Sequence, residues 1–452
     1  MEINYISNRN DEIINKFIDD FSVNHKPIEV SFRELLPEIK NIDRYTHLIH
    51  TYPAKLLVHI PYFFLNNSVF SKEGDTVLDP FNGSGTVLLE SIIAKRNAFG
   101  ADANPLARLI TEVKVSKIDT NKILQYLDDV IETAKTKKNP RIPDVVNCDF
   151  WFPKKAKNQL AKLLGTINKI EDELVRKFML VAFSNCVKKV SYADQRVSVP
   201  VKLNPNRYQN GSKENNKIID RIKHLESVNV FDKFHSIVLD NIDRFKEFEK
   251  VDLANSEANI ISTDARILTT GINHKSLLKN NSIQLVITSP PYAGAQKYIR
   301  ASSLNLGWTE LAKVEELREL DKKNIGRENY NKSEIKIVKT GIKSADKLID
   351  KIFEINPIRA NIICNYLIEM QEALKETHRV IKKNGYLVLI VGNNKVCNRE
   401  FNTQEYLTEF LLTLGMELQF KLIDDIKSYG LMTKRNKTAD IISREWILVF
   451  KK

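Results

Sequence analysis

At 452 residues with 42% hydrophobic side chains, the chain can hold one large packed domain together with a substantial insertion or second domain. Its formal charge of +12 and pI near 9.2 suit a polyanionic partner and disfavour an acidic one. The longest strongly apolar strand, Leu387-Val388-Leu389-Ile390-Val391, is far too short to span a bilayer, and Glu2, Asp11 and Glu12 near the start predict no signal peptide, so no membrane partner is expected.

In chain order, residues 1–44 read as a polar N-terminal extension with helical fragments such as 12–21. Next come a Tyr52-Pro53 segment, a helix near 58–65, a strand over 76–79, a helix over 86–96, a strand over 97–101 and a helix from Pro105. The long interval 113–257 shows helical patterns at 123–134 and 155–187. In the second, Leu160, Leu163, Leu164, Ile167, Ile170, Leu174 and Phe178 recur at helical spacing and predict core contacts. Between these helices and Ile218, turn residues mix with Tyr192, Arg196, Lys202, Arg207 and Tyr208. That mixture suits a loop touching nucleic-acid phosphates and bases, and equally a solvated surface loop.

Strands return at 259–262 and 283–288, followed by a helix over 302–311. The tract 313–351 is rich in lysine and arginine, but acidic residues interleave, which predicts a solvated helix face in part. A long helix over 356–380, a strand over 385–391, a helix over 403–414 and strands over 416–424 and 445–451 complete the pattern. The expected architecture is α/β: a Rossmann-like sheet of seven strands, mostly parallel, with a large mainly helical insertion. The expected domains are the extension 1–44, a catalytic domain formed by 45–112 and 258–452, and the insertion 113–257 as candidate recognition region.

Cys148, Cys186, Cys364 and Cys397 are scattered with no Cys-x-x-Cys pair, so neither a metal site nor disulfides are expected. None follows a proline.

Two motifs carry chemistry. In Asp79-Pro80-Phe81-Asn82-Gly83-Ser84-Gly85-Thr86, a strand end and a glycine turn lead into an amphipathic helix, presenting a helix N-terminus to a ligand. No Lys-Ser/Thr follows the glycines, which excludes a P-loop, and Leu88 stands where a dinucleotide fingerprint has its third glycine. Asp102, roughly 20 positions past the turn, is placed to bind a ribose diol, or else to cap the helix from Pro105. The second motif, Ser289-Pro290-Pro291-Tyr292, ends the apolar strand Ile283-Gln284-Leu285-Val286-Ile287-Thr288. Proline lacks an N–H, so this lip offers unsatisfied acceptors beside an aromatic face, suited to a planar base with an exocyclic amine.

These residues resemble the amino-methyltransferases of DNA, which use S-adenosylmethionine to methylate N4 of cytosine or N6 of adenine. The run Asp79 to Thr86 looks like their cofactor loop, and Ser289-Pro290-Pro291-Tyr292 looks like their catalytic tetrapeptide. His50-Thr51-Tyr52-Pro53-Ala54-Lys55 is similar to the segment that closes over the methionine end, and Asp264 fits the third acidic position, near the adenine. The resemblance thus implies cofactor contacts at Tyr52, Pro53, Ala54, Lys55, Asp79, Phe81, Gly83, Gly85, Thr86, Asp102 and Asp264, with Arg196, Lys202, Arg207 and Arg300 as candidate DNA contacts. It implies a final strand antiparallel to the rest. It also implies double-stranded DNA as partner, a cognate restriction endonuclease as functional partner, and a prokaryotic cytoplasmic location at the nucleoid. The serine form of the tetrapeptide is commoner among cytosine-N4 enzymes, which favours cytosine. The alternatives are an adenine-N6 enzyme and an RNA guanine-N2 methyltransferase, the latter usually carrying an RNA-binding module before the cofactor loop.

Overall fold

The computed structural model describes residues 2–39, 44–53, 55–294, 297–336, 338–426 and 443–452. Its strands are β1 (Ile28–Val30), β2 (Thr76–Asp79), β3 (Asn97–Ala101), β4 (Ala258–Ser262), β5 (Ile283–Thr288), β6 (Ile381–Val391), β7 (Asn394–Val396), β8 (Arg399–Phe401), β9 (Glu417–Asp425) and β10 (Arg444–Lys451). An eight-stranded sheet runs in the order β1-β9-β10-β6-β5-β2-β3-β4, and β7 and β8 form a separate antiparallel hairpin. Only β10 runs antiparallel within the large sheet, against both β6 and β9. The α/β sheet with its reversed final strand is as expected; its strand count is eight and not seven. The additional strand is β1, which comes from the N-terminal stretch and pairs parallel with β9 at one edge, Ile28 opposite Leu422. Three residues, Ile28-Glu29-Val30, are too few to carry a periodicity that would announce a strand.

Alternation of side chains sorts the strands into two faces. Leu78, Val286, Leu387, Leu389 and Val391 point to one side, and Val77, Leu285, Ile287, Val388 and Ile390 to the other, all of them 0% exposed. Burial on both faces is why these strands read as continuous apolar runs.

The helices in chain order are α1 (Glu2–Asn24), α2 (Phe32–Leu35), α3 (His59–Leu65), α4 (Thr86–Ile93), α5 (Pro105–Val115), α6 (Thr120–Thr136), α7 (Cys148–Trp151) and α8 (Lys154–Ile167). They continue with α9 (Glu173–Lys189), α10 (Lys213–Ser227), α11 (Val230–Glu249), α12 (Tyr298–Trp308), α13 (Leu317–Lys323), α14 (Lys343–Ile355), α15 (Pro357–Val380) and α16 (Thr403–Thr413). One face of the sheet is covered by Ile14, Phe17 and Phe21 of α1 together with Phe63 and Phe64 of α3. The other is covered by α14, α15 and α16. A third core joins α6, α8, α9 and α11 to α5 and α12. The helices between 113 and 257 therefore share a core with elements that flank the sheet.

The pattern at 155–187 is two helices, because Asp172 caps α9 by accepting the N–H groups of Leu174 and Val175. The helix expected at 302–311 begins earlier, at Tyr298. No described helix is long and apolar enough to cross a membrane.

Pairing of β2 with β5, Val77 opposite Leu285 and Leu78 opposite Val286, brings two distant strand ends side by side. There the Thr288 hydroxyl donates to Asp79 Oδ1 at 2.6 Å, and the Phe81 N–H donates to the same oxygen at 3.0 Å. Burial pushes the Asp79 carboxyl up to about 7 despite these hydrogen bonds. The folded acid keeps its proton to about that pH, whereas the unfolded one releases it at the ordinary carboxylate value. Ionisation of Asp79 hence costs stability increasingly as pH rises between those two values, and the cost is constant above the upper one. Asp79→Asn keeps an acceptor oxygen without the charge. The difference in melting temperature between variant and wild type, without ligand, should shift in favour of the variant from pH 4 to pH 7 and then level off. A pH-independent difference in calorimetry would refute this account of the buried carboxyl.

Candidate active site at the carboxyl edge of the sheet

The turn from β2 into α4 is shaped by two glycines with positive φ. Gly85 precedes α4 at φ 78°, and a Cβ there would meet Thr111 of α5 at 2.7 Å, so only glycine lets the turn rest on α5. Gly83, at φ 53°, has open space where a Cβ would stand. Asn82 ties the loop down: its N–H donates to the Ala101 carbonyl at 3.0 Å and its Nδ2 to Thr111 Oγ1 at 2.8 Å. Thr86 is buried in the first turn of α4.

Asp102 follows β3 and does not cap α5. That role belongs to Asn104, whose Oδ1 accepts the Leu106 N–H at 3.1 Å ahead of Pro105. Asp102 instead accepts the Gly83 N–H on Oδ2 and the Asn104 N–H on Oδ1, each at 2.8 Å. Each oxygen keeps a second lone pair. Burial raises this carboxyl to about 6, against the pull of the two N–H groups.

The Tyr52 segment is braced from behind. Glu90 of α4 accepts hydrogen bonds from Arg44 and, at 2.7 Å, from His47 Nε2, holding the 3-10 turn Tyr45–Leu48 against α4. Burial pushes His47 down to about 4, so this ring is neutral at pH 7, and His50 falls to about 3 for the same reason. From the insertion, α9 supplies Ser184 Oγ to His50 Nε2 at 3.1 Å and Asn185 Oδ1 to the Thr51 hydroxyl at 3.0 Å. Lys55 turns inward, its Nζ donating to the His47 and His50 carbonyls at 3.0 and 2.8 Å. Tyr52 OH meets Asn104 Nδ2 at 3.1 Å, which links the segment to Asp102's neighbour. Pro53 lines a small adjoining cavity, and Ala54 lies outside the described residues.

These elements enclose an open cleft with about 650 Å³ of empty space, part of it solvent. Tyr52, Phe81, Gly83, Asp102, Asp264 and Ser289 all line it. Asp79, Gly85 and Thr86 lie beneath the turn and shape it from below. Asp264 is paired with Arg266, whose Nη2 lies 2.9 Å from Oδ2. Sequence reading missed a part of the cleft wall formed by Lys323, Asn324 and Ile325 at the end of α13. Gly326 follows at φ 77°, and a Cβ there would meet the Tyr292 carbonyl at 3.1 Å. The one signal for it was a glycine after an apolar residue inside a charged tract.

The tetrapeptide is held from three strands. Thr288 bonds Asp79 of β2; Asn394 Nδ2 of β7 donates to the Ala293 carbonyl at 3.0 Å; Tyr292 OH donates to Glu445 Oε1 of β10 at 3.1 Å. Pro291 joins Ser289 in the cleft wall, while Pro290 is buried behind it. Tyr292 is half-buried, and burial raises its phenol well above the ordinary value.

The candidate DNA contacts lie in different environments. Arg196 is occupied by Asp194 at 2.7 Å and Glu214 at 3.6 Å. Lys202 stacks over Phe150 and Tyr192, 4.2 and 5.1 Å from their ring centroids. Arg207 and Arg300 are exposed, Arg300 in the first turn of α12 just past the lip.

The cleft fits S-adenosylmethionine on its own chemistry. Asp102 has acceptor capacity for hydroxyl groups, the open side of Gly83 admits close approach, and Ser84 Oγ is buried in the loop without a partner among the described residues. The family model described as "DNA methylase" (N6_N4_Mtase) matches residues 20–112. Type II methyltransferase M.MvaI of Kocuria varians is 23% identical over 422 residues, covering 89% of this chain and 88% of that protein. Type II methyltransferase M.BsoBI of Geobacillus stearothermophilus is 25% identical over 281 residues, 59% of this chain and 53% of its own. Type II methyltransferase M.MjaII of Methanocaldococcus jannaschii is 35% identical over 102 residues, 23% of this chain and 19% of its own. With the glycine turn, the paired acidic strand ends and the Ser-Pro-Pro-Tyr lip around one cleft, these similarities support an S-adenosylmethionine-dependent DNA amino-methyltransferase of the N4/N6 family.

Proposed function

We propose that this protein methylates the exocyclic N4 amine of a cytosine flipped out of duplex DNA, as the modification half of a restriction-modification system. The observation that carries this reading is the shared cleft, in which Ser289 and Pro291 face the same space as Gly83 and Asp102. The serine lip favours cytosine over adenine. The relatives' names, Type II methyltransferases, support a role paired with a restriction endonuclease.

The bound cofactor supplies an electrophilic methyl group on a sulfonium. The protein's own residues supply position. Tyr52 and Gly83 border the cofactor's side of the cleft, Asp102 binds the ribose hydroxyls, and Asp264 with Arg266 borders the adenine. Ser289 and the Pro290 carbonyl accept the target amine's protons, drawing its lone pair out of conjugation with the ring. Alignment of two bound reactants supplies up to about 7–11 kcal/mol of barrier reduction. Flipping the base costs a few kcal/mol, and stacking on the Tyr292 ring returns about 1–3 kcal/mol. Arg207 and Arg300 offer exposed cations to the DNA backbone, whereas Arg196 and Lys202 organise the loop that carries Arg207.

Two measurements test this. Incubation with duplex DNA and labelled cofactor, followed by sequencing that separates N4-methylcytosine from N6-methyladenine, should place the methyl on cytosine. Methyl on adenine alone would transfer the assignment to the N6 class. Asp102→Ala should weaken S-adenosylmethionine binding by about 1.5–3 kcal/mol, the range for hydrogen bonds to a charged group. Titration calorimetry on a folded variant with unchanged affinity would remove Asp102 from the ribose site and leave it only as the tie to Gly83.

A further inference from the structure

Asp264 enters the cleft on a turn that leaves it little freedom. The turn follows β4, where the Ser262 hydroxyl donates to the Ile267 carbonyl at 2.6 Å and accepts the Asp264 N–H at 3.2 Å. Arg266 closes on the same carboxylate from two residues away. Its N–H and its Nε each donate to Asp264 Oδ1 at 2.9 Å, and its Nη2 donates to Oδ2 at 2.9 Å. An ionised carboxylate has about four acceptor positions, two on each oxygen. Arg266 fills both on Oδ1 and one on Oδ2. Among the described residues, no other donor reaches the remaining position on Oδ2.

The guanidinium is itself fixed from its far side. Nη1 lies 3.7 Å from Glu369 Oε1 of α15, and Nη2 also reaches the Lys323 carbonyl at 3.4 Å. Lys323 ends α13 and begins the Lys323–Ile325 part of the cleft wall. One guanidinium thus ties the turn after β4 both to α15 and to that wall. Ala265 and Ile325 share a buried core, and both line the cleft together with Phe81. This end of the cleft therefore combines apolar side chains with one carboxylate acceptor. Such a lining suits a flat heterocycle with an N–H donor at its edge.

We propose that Arg266 is a positioning residue for the cofactor's base: it turns Asp264 so that the open position on Oδ2 meets the exocyclic amine of adenine. The proposal rests on the cleft being the S-adenosylmethionine site. Arg266 acts here through Asp264 and not by a contact of its own. The torsion that turns a carboxylate is broad when nothing restrains it, so a free Asp264 would present either oxygen in many directions. The planar fork of a guanidinium removes that freedom, and an ammonium, as a point charge, does not. Selectivity for adenine is on this account set by the pairing of Asp264 with Arg266, with Glu369 and the Lys323 carbonyl keeping the fork in place.

The test is titration calorimetry with two ligands, S-adenosylhomocysteine and its analogue carrying purine in place of adenine. They differ only in the exocyclic amine, so the ratio of their affinities reads the Asp264 contact. The wild-type protein should bind the amino form about 10- to 100-fold more tightly, the span for a hydrogen bond to a charged group. Arg266→Gln should weaken the amino form about 10-fold or more and leave the purine form unchanged, so that the preference falls toward unity. Arg266→Lys restores the charge without the fork and should recover only a small part of the preference. It decides the matter alone if Arg266→Gln does not fold. Equal weakening of both ligands would make Arg266 a general support of the fold and overturn the proposal. A wild-type preference retained in either variant would overturn it too, as would a wild-type protein that binds the two ligands equally. Binding of neither ligand by the wild-type protein would instead overturn the reading of the cleft as the cofactor site.

Discussion

Parallel pairing of β2 with β5 is the constraint on which the site depends. It places Asp79 beside Thr288, residues that are 209 positions apart, and a 2.6 Å hydrogen bond joins them. Both motifs continue outward from those two strand ends: the glycine turn from one, the Ser-Pro-Pro-Tyr lip from the other. At the carboxyl edge of an open α/β sheet, such neighbouring ends leave a crevice between their loops. Here the pairing makes one cleft from two motifs.

Around that pairing, the long helical interval acts as a brace. Ser184 and Asn185 of α9 hold His50 and Thr51, and Glu90 of α4 holds Arg44 and His47. The Tyr52 segment has little regular structure of its own, so its position over the glycine turn is set by these polar contacts. Those of His47 and His50 are buried, which makes each worth more than a surface contact and costly to leave half-made. Two imidazoles kept neutral by burial serve this purpose without adding charge to the segment.

The lip itself is rigid at both ends and open in the middle. Two prolines limit its backbone, Thr288 anchors its start, and Asn394 and Glu445 hold its far end. Such restraint fits the proposed chemistry, which relies on orientation. Glu445 reaches the lip because the final strand is inserted antiparallel between β6 and β9, so β10 begins at the carboxyl edge where its neighbours end.

The sequence by itself determined the elements whose signals are local. Strands buried on both faces read as apolar runs, Pro105 after Asn104 announced a helix start, and the two motifs were legible as contiguous strings whose glycines and prolines limit the backbone wherever they occur. The tertiary structure alone decided matters that depend on distant partners. Strand β1 exists because β9 offers it an edge. Asp102 is released from capping because Asn104 takes that role, and the exposed Arg196 is ion-paired with Asp194 and Glu214. The Lys323–Ile325 wall, the α9 brace and the Tyr292–Glu445 contact left no local trace, since hydrogen bonds between residues far apart in the chain impose no periodicity and no fixed spacing on the sequence that makes them.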